Sequence, residues 1–171
     1  MSSPFDHIFI PVAILLLFSK KLKLNPGEVI GFSFFAVLPD IDGIYFGSIP
    51  LHRVLFHNIF IVIIPFLLFI LAKNKREVFG IICFYLTSHL ILDLFTGGIF
   101  LFYPVYNNVF FARVELLLSH DSFIPALEYG ISNRFMNNGI GEPVISSENI
   151  AVALLLITCA LISAIRIHRK T

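Results

Sequence analysis

The chain has 171 residues, 57% of them hydrophobic and only 13% charged, with a mean hydropathy of +0.90 and a net charge of +1. Soluble domains carry about 25% charged residues, so this composition excludes an ordinary water-soluble fold and makes the bilayer the expected solvent. The same balance offers no broad basic surface, which excludes nucleic acid as a main partner.

Ser3-Pro4-Phe5-Asp6 reads as a helix start, with Ser3 as cap, Pro4 at the first helical position and Asp6 in the first turn. A first apolar segment follows over about 4–18. It lacks a basic region before it and a small-residue cleavage site after it, so it is expected to stay in the mature protein. Asn25-Pro26-Gly27-Glu28 repeats the start signal, and a second segment over about 28–38 should end before Pro39, which disfavours helical geometry in its predecessor. Both are short against the about 20 residues needed to cross ~30 Å of hydrocarbon, and a tilted or re-entrant hairpin is expected. Residues 54–72 and 78–96 are long enough to span, and the polar turn at 73–77 makes them an antiparallel pair. Gly97-Gly98 stops the fourth segment. Phe100, Phe102, Tyr103 and Tyr106 suit the interface level. Residues 97–148 read as an extramembrane loop with two short interfacial helices, and 150–167 as a last span. The expected fold is therefore all-α, a single-domain polytopic bundle of about five membrane segments. Cys83 and Cys159 each lie within an apolar run without ligand spacing, so neither a disulfide framework nor a thiolate metal site is expected.

Basic residues fall in three clusters: Lys20, Lys21 and Lys23; Lys73, Lys75 and Arg76; and Arg166, Arg169 and Lys170. With alternating spans all three share one face, which the positive-inside rule makes cytoplasmic. The N-terminus and the long loop are then extracytoplasmic, in an integral protein of the cell membrane.

On that topology His7, Asp40, Asp42, His52, His57, His89 and Asp93 approach the outer face from different segments. His89 and Asp93 are four apart and share a helix face, as do Arg53 and His57 at the start of the third segment. An Asp in mid-membrane costs roughly 2.5–3.5 kcal/mol on insertion scales. A divalent metal resolves that cost, because carboxylates and neutral imidazoles are its ligands and its charge offsets theirs. Mixed N and O ligation favours Zn, with Mn or Fe next, as one or two ions. An open ligand position makes water a nucleophile near neutral pH and suits ester or phosphoester hydrolysis, with Arg53 steadying the anion. Plainer readings exist for each part. His89 and Asp93 can be a hydrogen-bonded pair, His7 an interfacial residue, Asp40-Ile41-Asp42 a capping loop, and Arg53 the partner of a salt bridge. Ser119-His120-Asp121 resembles a triad in composition only and reads as a loop with a cap. His168 reads as a solvated tail residue.

The motifs LPDID (38–42), HRVLFH (52–57) and SHLILDLFTGG (88–98), followed by FYP (102–104), resemble in order and spacing the YdjM-type family of membrane-bound, metal-dependent hydrolases, LexA-regulated inner-membrane proteins. The resemblance covers roughly residues 5–105. It implies a distant similarity to zinc-dependent phospholipase C and P1-type nucleases, helical enzymes with His and Asp ligands to zinc. By that likeness Asp40, Asp42, His52, His57, His89 and Asp93 are ligands, with His7 beside them; the catalytic roles expected of Asp42 and Arg53 come from the chemistry of the residues and not from the likeness. Later His and Glu ligands of those enzymes have no counterpart here except Glu128. The implied activity is hydrolysis of a phosphoester or ester, with membrane lipid as partner and candidate substrate. Two other classes compete. An ion or proton transporter predicts polar residues continuing into the cytoplasmic half, and an assembly protein predicts polar residues that pair off without metal.

Overall fold

The computed structural model describes residues 4–41, 54–119 and 122–135, together with Leu154 and Thr158. Helix α1, Pro4–Leu22, begins where the sequence places it, with Asp6 in its first turn and Lys20 and Lys21 in its last. These charges complement the helix dipole at both ends. The helix runs past 18 to a Schellman-type close, in which the Leu24 N–H donates to the Ser19 carbonyl at 2.8 Å and Lys23 takes a left-handed φ of 58°.

The second start is also in place. Helix α2, Pro26–Gly31, is capped by Asn25, whose side-chain oxygen accepts from the Gly27 N–H at 2.9 Å. The helix expected over 28–38 is not continuous, however. After Gly31 the chain tightens into two 3-10 turns, Ser33–Ala36 and Leu38–Asp40. Pro39 has no N–H and its ring would clash with the Phe35 carbonyl in an α-helix, but it fits the opening of a new turn.

Helix α3, Phe60–Leu71, is also shorter than the 54–72 expected. Asn58 intercepts the backbone before it: its amide donates to the Leu55 carbonyl at 2.7 Å and its oxygen accepts the Phe60 N–H at 3.0 Å. His57 therefore sits in an irregular turn and not on a helix. A 3-10 turn, Lys73–Lys75, leads into α4, Arg76–Phe95.

Helix α4 with that turn, Lys73–Phe95, is the one stretch among the described residues long and apolar enough to cross a membrane. The twelve residues of α3 rise only about 18 Å, and α1 carries Asp6, Lys20 and Lys21. Among the described residues one span is supported, and a bundle of five is not confirmed. Of the segment expected at 150–167 only Leu154 and Thr158 are described. Both are helical, and the Thr158 hydroxyl donates to the Leu154 carbonyl at 2.8 Å.

The largest correction concerns 97–148. In place of a loop with interfacial helices, strands β1, Val109–Ser119, and β2, Ser122–Ser132, form an antiparallel hairpin in which Val109 pairs with Ser132 and Ser119 with Ser122. Its root is fixed to α4 through Gly98. At φ 92° a Cβ there would lie 2.5 Å from Val109 Cγ1 and 2.8 Å from the Phe110 carbonyl oxygen, so only glycine allows this approach. His120 and Asp121 lie outside the described residues.

The core is built from Leu15, Val29, Ala36, Ile81 and Tyr85, and the Tyr85 hydroxyl donates to the Val29 carbonyl at 2.6 Å, tying α2 to α4. Helix α3 exposes Ile63, Ile64, Phe66, Leu67, Ile70 and Leu71, apolar side chains of the kind that gather where a protein meets a membrane or a partner. Two of the three basic clusters share one end of the bundle: Lys23 and Arg76 line one cleft, and the Asn25 N–H donates to Glu77 at 3.0 Å.

Candidate metal centre

Four segments deliver side chains to the other end. His7 comes from the first turns of α1, Asp40 from the close of the second 3-10 turn, His57 from the turn before α3, and His89 and Asp93 from adjacent turns of α4. His7, His57, His89 and Asp93 are almost fully buried, whereas a quarter of the Asp40 side chain is exposed. Solvent thus meets the cluster at Asp40.

The atoms that converge are His57 Nε2, His89 Nε2, Asp40 Oδ1 and Asp93 Oδ2. His57 Nε2 is 3.1 Å from His89 Nε2, 3.2 Å from Asp93 Oδ2 and 3.4 Å from Asp40 Oδ1. His89 Nε2 is 3.4 Å from Asp93 Oδ2 and 3.6 Å from Asp40 Oδ1. Ligand bonds of 2.0–2.2 Å in a tetrahedral shell put neighbouring ligand atoms roughly 3.3–3.6 Å apart. Five edges of the tetrahedron therefore have close to the spacing a bound ion would impose, and the four residues each offer a ligand atom within 4.8 Å of the others.

The protonation pattern points the same way. His89 Nδ1 lies 2.7 Å from the Ala36 carbonyl oxygen. A carbonyl only accepts, so Nδ1 carries the hydrogen and a neutral His89 presents the lone pair of Nε2 to the cluster. That lone pair faces a second imidazole nitrogen and two carboxylate oxygens, a set of ligand atoms that could hold a cation. The carbonyl that orients the ring comes from the end of the first 3-10 turn, so the departure of 28–38 from a regular helix directly serves the site.

His7 stands beside the four. Its Nε2 is 3.5 Å from Asp93 Oδ1, the oxygen of that carboxylate not shared with His57 and His89, and its ring stacks on His89 with centroids 4.0 Å apart. With the imidazoles protonated and no metal bound, burial pushes the Asp40 carboxyl up, but the hydrogen bond from His57 and the attraction of His89 and His7 outweigh it, and the group is held below its ordinary value.

Of the residues expected from sequence, Asp40, His57, His89 and Asp93 meet and His7 joins their edge. Asp42, His52 and Arg53 lie outside the described residues. Glu128 is exposed on β2 opposite Arg113 and is not part of the group. The Ala36 carbonyl was not legible, because a backbone oxygen carries no residue signature. Asn58, which shapes the turn holding His57, had a signal in its polar side chain at the head of an apolar run.

No curated protein and no solved structure matches this chain, and the more distant similarity to phospholipase C and P1-type nuclease is not shown. The model of one family, described as YdjM inner membrane protein, matches residues 1–170, and the chain belongs to that family of inner membrane proteins.

Proposed function

We propose that this protein is a membrane-bound metal-dependent hydrolase whose centre is held by Asp40, His57, His89 and Asp93, acting on a phosphoester or ester at the membrane. The observation that carries this reading is the convergence of two imidazole nitrogens and two carboxylate oxygens, five of whose separations are 3.1–3.6 Å, with His89 held by the Ala36 carbonyl in the tautomer that ligates. A divalent metal there supplies a Lewis acid and lowers the pKa of a bound water. The protein residues bring the ligands together and exclude water on the buried sides. Asp40 keeps the one solvent-facing side.

Zinc is the first expectation from mixed N and O ligation, with Mn or Fe next. A shell of four protein ligands closes a tetrahedral zinc, so catalysis requires five or six positions, which zinc reaches by expansion and Mn or Fe adopt more readily. That same closed shell favours a second reading, a structural ion that clamps α1, the 3-10 turns and α4 together. In the catalytic reading Arg53, which precedes His57 by one helical turn in sequence, neutralises the anionic group, and Asp42 adds a carboxylate beside Asp40. The two basic clusters at the opposite end orient that end to the cytoplasm by the positive-inside rule, which makes the site extracytoplasmic. An ion path finds less support. Toward the basic end the cluster gives way to Leu15, Val29, Ile81 and Tyr85, and the hydroxyl of Tyr85 is spent on Val29.

The test is phosphoester release from a chromogenic phosphodiester and from phospholipid vesicles by the full chain in detergent, with zinc, manganese or iron added after chelation. Metal-dependent turnover abolished in Asp93→Ala supports hydrolysis. Metal that binds and raises the melting temperature without turnover on any probe selects the structural ion.

A further inference from the structure

Along α4, the basic end lies roughly 25 Å of helix rise from the His and Asp cluster. There the last turn of α1, the end of α3 and the first turns of α4 enclose a cleft of about 410 Å³, within the ~300–1,000 Å³ range of sites that take small molecules. Leu15, Leu22, Phe69 and Phe84 give it apolar walls, and Lys23 and Arg76 stand exposed where it opens. Gly80 also lines it. A Cβ at that position would already come within 3.2 Å of Phe69 Cε2, so glycine there lets the Phe69 ring of α3 pack closely on α4 at the wall of the cleft.

The two cations are placed by local structure. The Arg76 guanidinium carbon lies 4.6 Å from the centroid of the Phe69 ring, which holds it at the wall of the cleft. Lys23 occupies the left-handed position that closes α1, with φ 58°. Glycine takes that conformation at least cost, and a lysine there retains a charge at the expense of backbone strain. Glu77 also lines the cleft, where one carboxylate oxygen accepts the Asn25 N–H at 3.0 Å, so two cations face one acidic group there. Around the opening Lys20, Lys21, Lys73 and Lys75 extend the positive field, while Leu17, Phe18, Leu22 and Leu71 are exposed to the apolar surroundings.

From this combination we infer that the cleft binds an anionic phospholipid, with an acyl chain against Leu15, Leu22, Phe69 and Phe84 and the phosphate met by Lys23 and Arg76. A soluble anion would leave the apolar walls unused. A zwitterionic lipid brings its own cation to a surface that is already positive. The site is separate from the proposed metal centre and does not depend on it.

Native mass spectrometry of the full chain in detergent, titrated with phosphatidylglycerol and with phosphatidylcholine, tests the inference. Phosphatidylglycerol is expected to bind at least ~10-fold more tightly, and Lys23→Gly with Arg76→Gln to weaken it by at least ~10-fold. Lys73→Gln with Lys75→Gln removes the same charge from outside the cleft and is expected to change it little. Glycerol phosphate, the headgroup without chains, should fail to compete. The inference is overturned if the Lys73 and Lys75 pair matters as much as the Lys23 and Arg76 pair, or if the latter variant, with native helix content, keeps its preference for phosphatidylglycerol.

Discussion

One face of α4 carries Ile81, Tyr85, His89 and Asp93 in successive turns, and the two halves of that stripe solve the burial of polar atoms in opposite ways. In the lower half Tyr85 brings one polar atom into an apolar layer and satisfies it at once, by donating to the Val29 carbonyl at 2.6 Å. In the upper half His89 spends one nitrogen on the Ala36 carbonyl and turns the other toward His57, Asp40 and Asp93, all of which offer ligand atoms. A layer that closes its own hydrogen bonds is structural. A layer that gathers ligand atoms from four segments could hold a cation, and that difference separates the apolar core from the candidate site within a single helix.

The comparison can be broken most severely at Asp93, which faces His57 and His89 with one oxygen and His7 with the other. Asp93→Ala is expected to weaken metal binding by at least ~100-fold, read as metal retained after dialysis, since even an outer-shell partner is worth about 10–100-fold. Acidification should act next. Protons compete with metal for the imidazole nitrogens, so retention measured across a pH series falls as pH is lowered. Asp40, held below its ordinary value, does not set the onset. Without metal, the stability its depressed pKa contributes is fully present above the ordinary carboxylate range and lost only as pH falls through the lowered value. Ala36→Leu should come third. Ala36 is fully buried, and overpacking there costs about 1–3 kcal/mol and moves the carbonyl that orients His89. A thermal melt and a metal titration on the same sample should both shift, the titration by roughly tenfold or more. The smallest effect sharpens the contrast: Tyr85→Phe should cost only about 1 kcal/mol in a denaturation experiment and leave metal content unchanged.

The site was more legible than the scaffold around it. The order of His and Asp residues along the chain, with basic clusters to fix the alternation of ends, sufficed to collect Asp40, His57, His89, Asp93 and His7 at one end. The spacing of His89 and Asp93 set them on one helix face directly. Boundaries failed where one side chain or ring overrides the apolar pattern, as Asn58 does before α3 and Pro39 does after α2. The hairpin was missed for a different reason. Val109 to Ser119 is a run of β-branched, aromatic and aliphatic residues following Asn107-Asn108, a strand signal, but in so apolar a chain it reads equally well as interface-seeking surface. Hydrophobicity loses its power to discriminate when most of the sequence has it.

The central claim, that Asp40, His57, His89 and Asp93 form a divalent-metal centre, is tested most directly by metal content. Inductively coupled plasma mass spectrometry on the detergent-purified full chain, wild type beside His89→Ala and Tyr85→Phe, is predicted to find near-stoichiometric zinc, manganese or iron in wild type and in Tyr85→Phe, and its loss in His89→Ala. A folded wild type that binds none of these ions, even after each is supplied, would contradict the account.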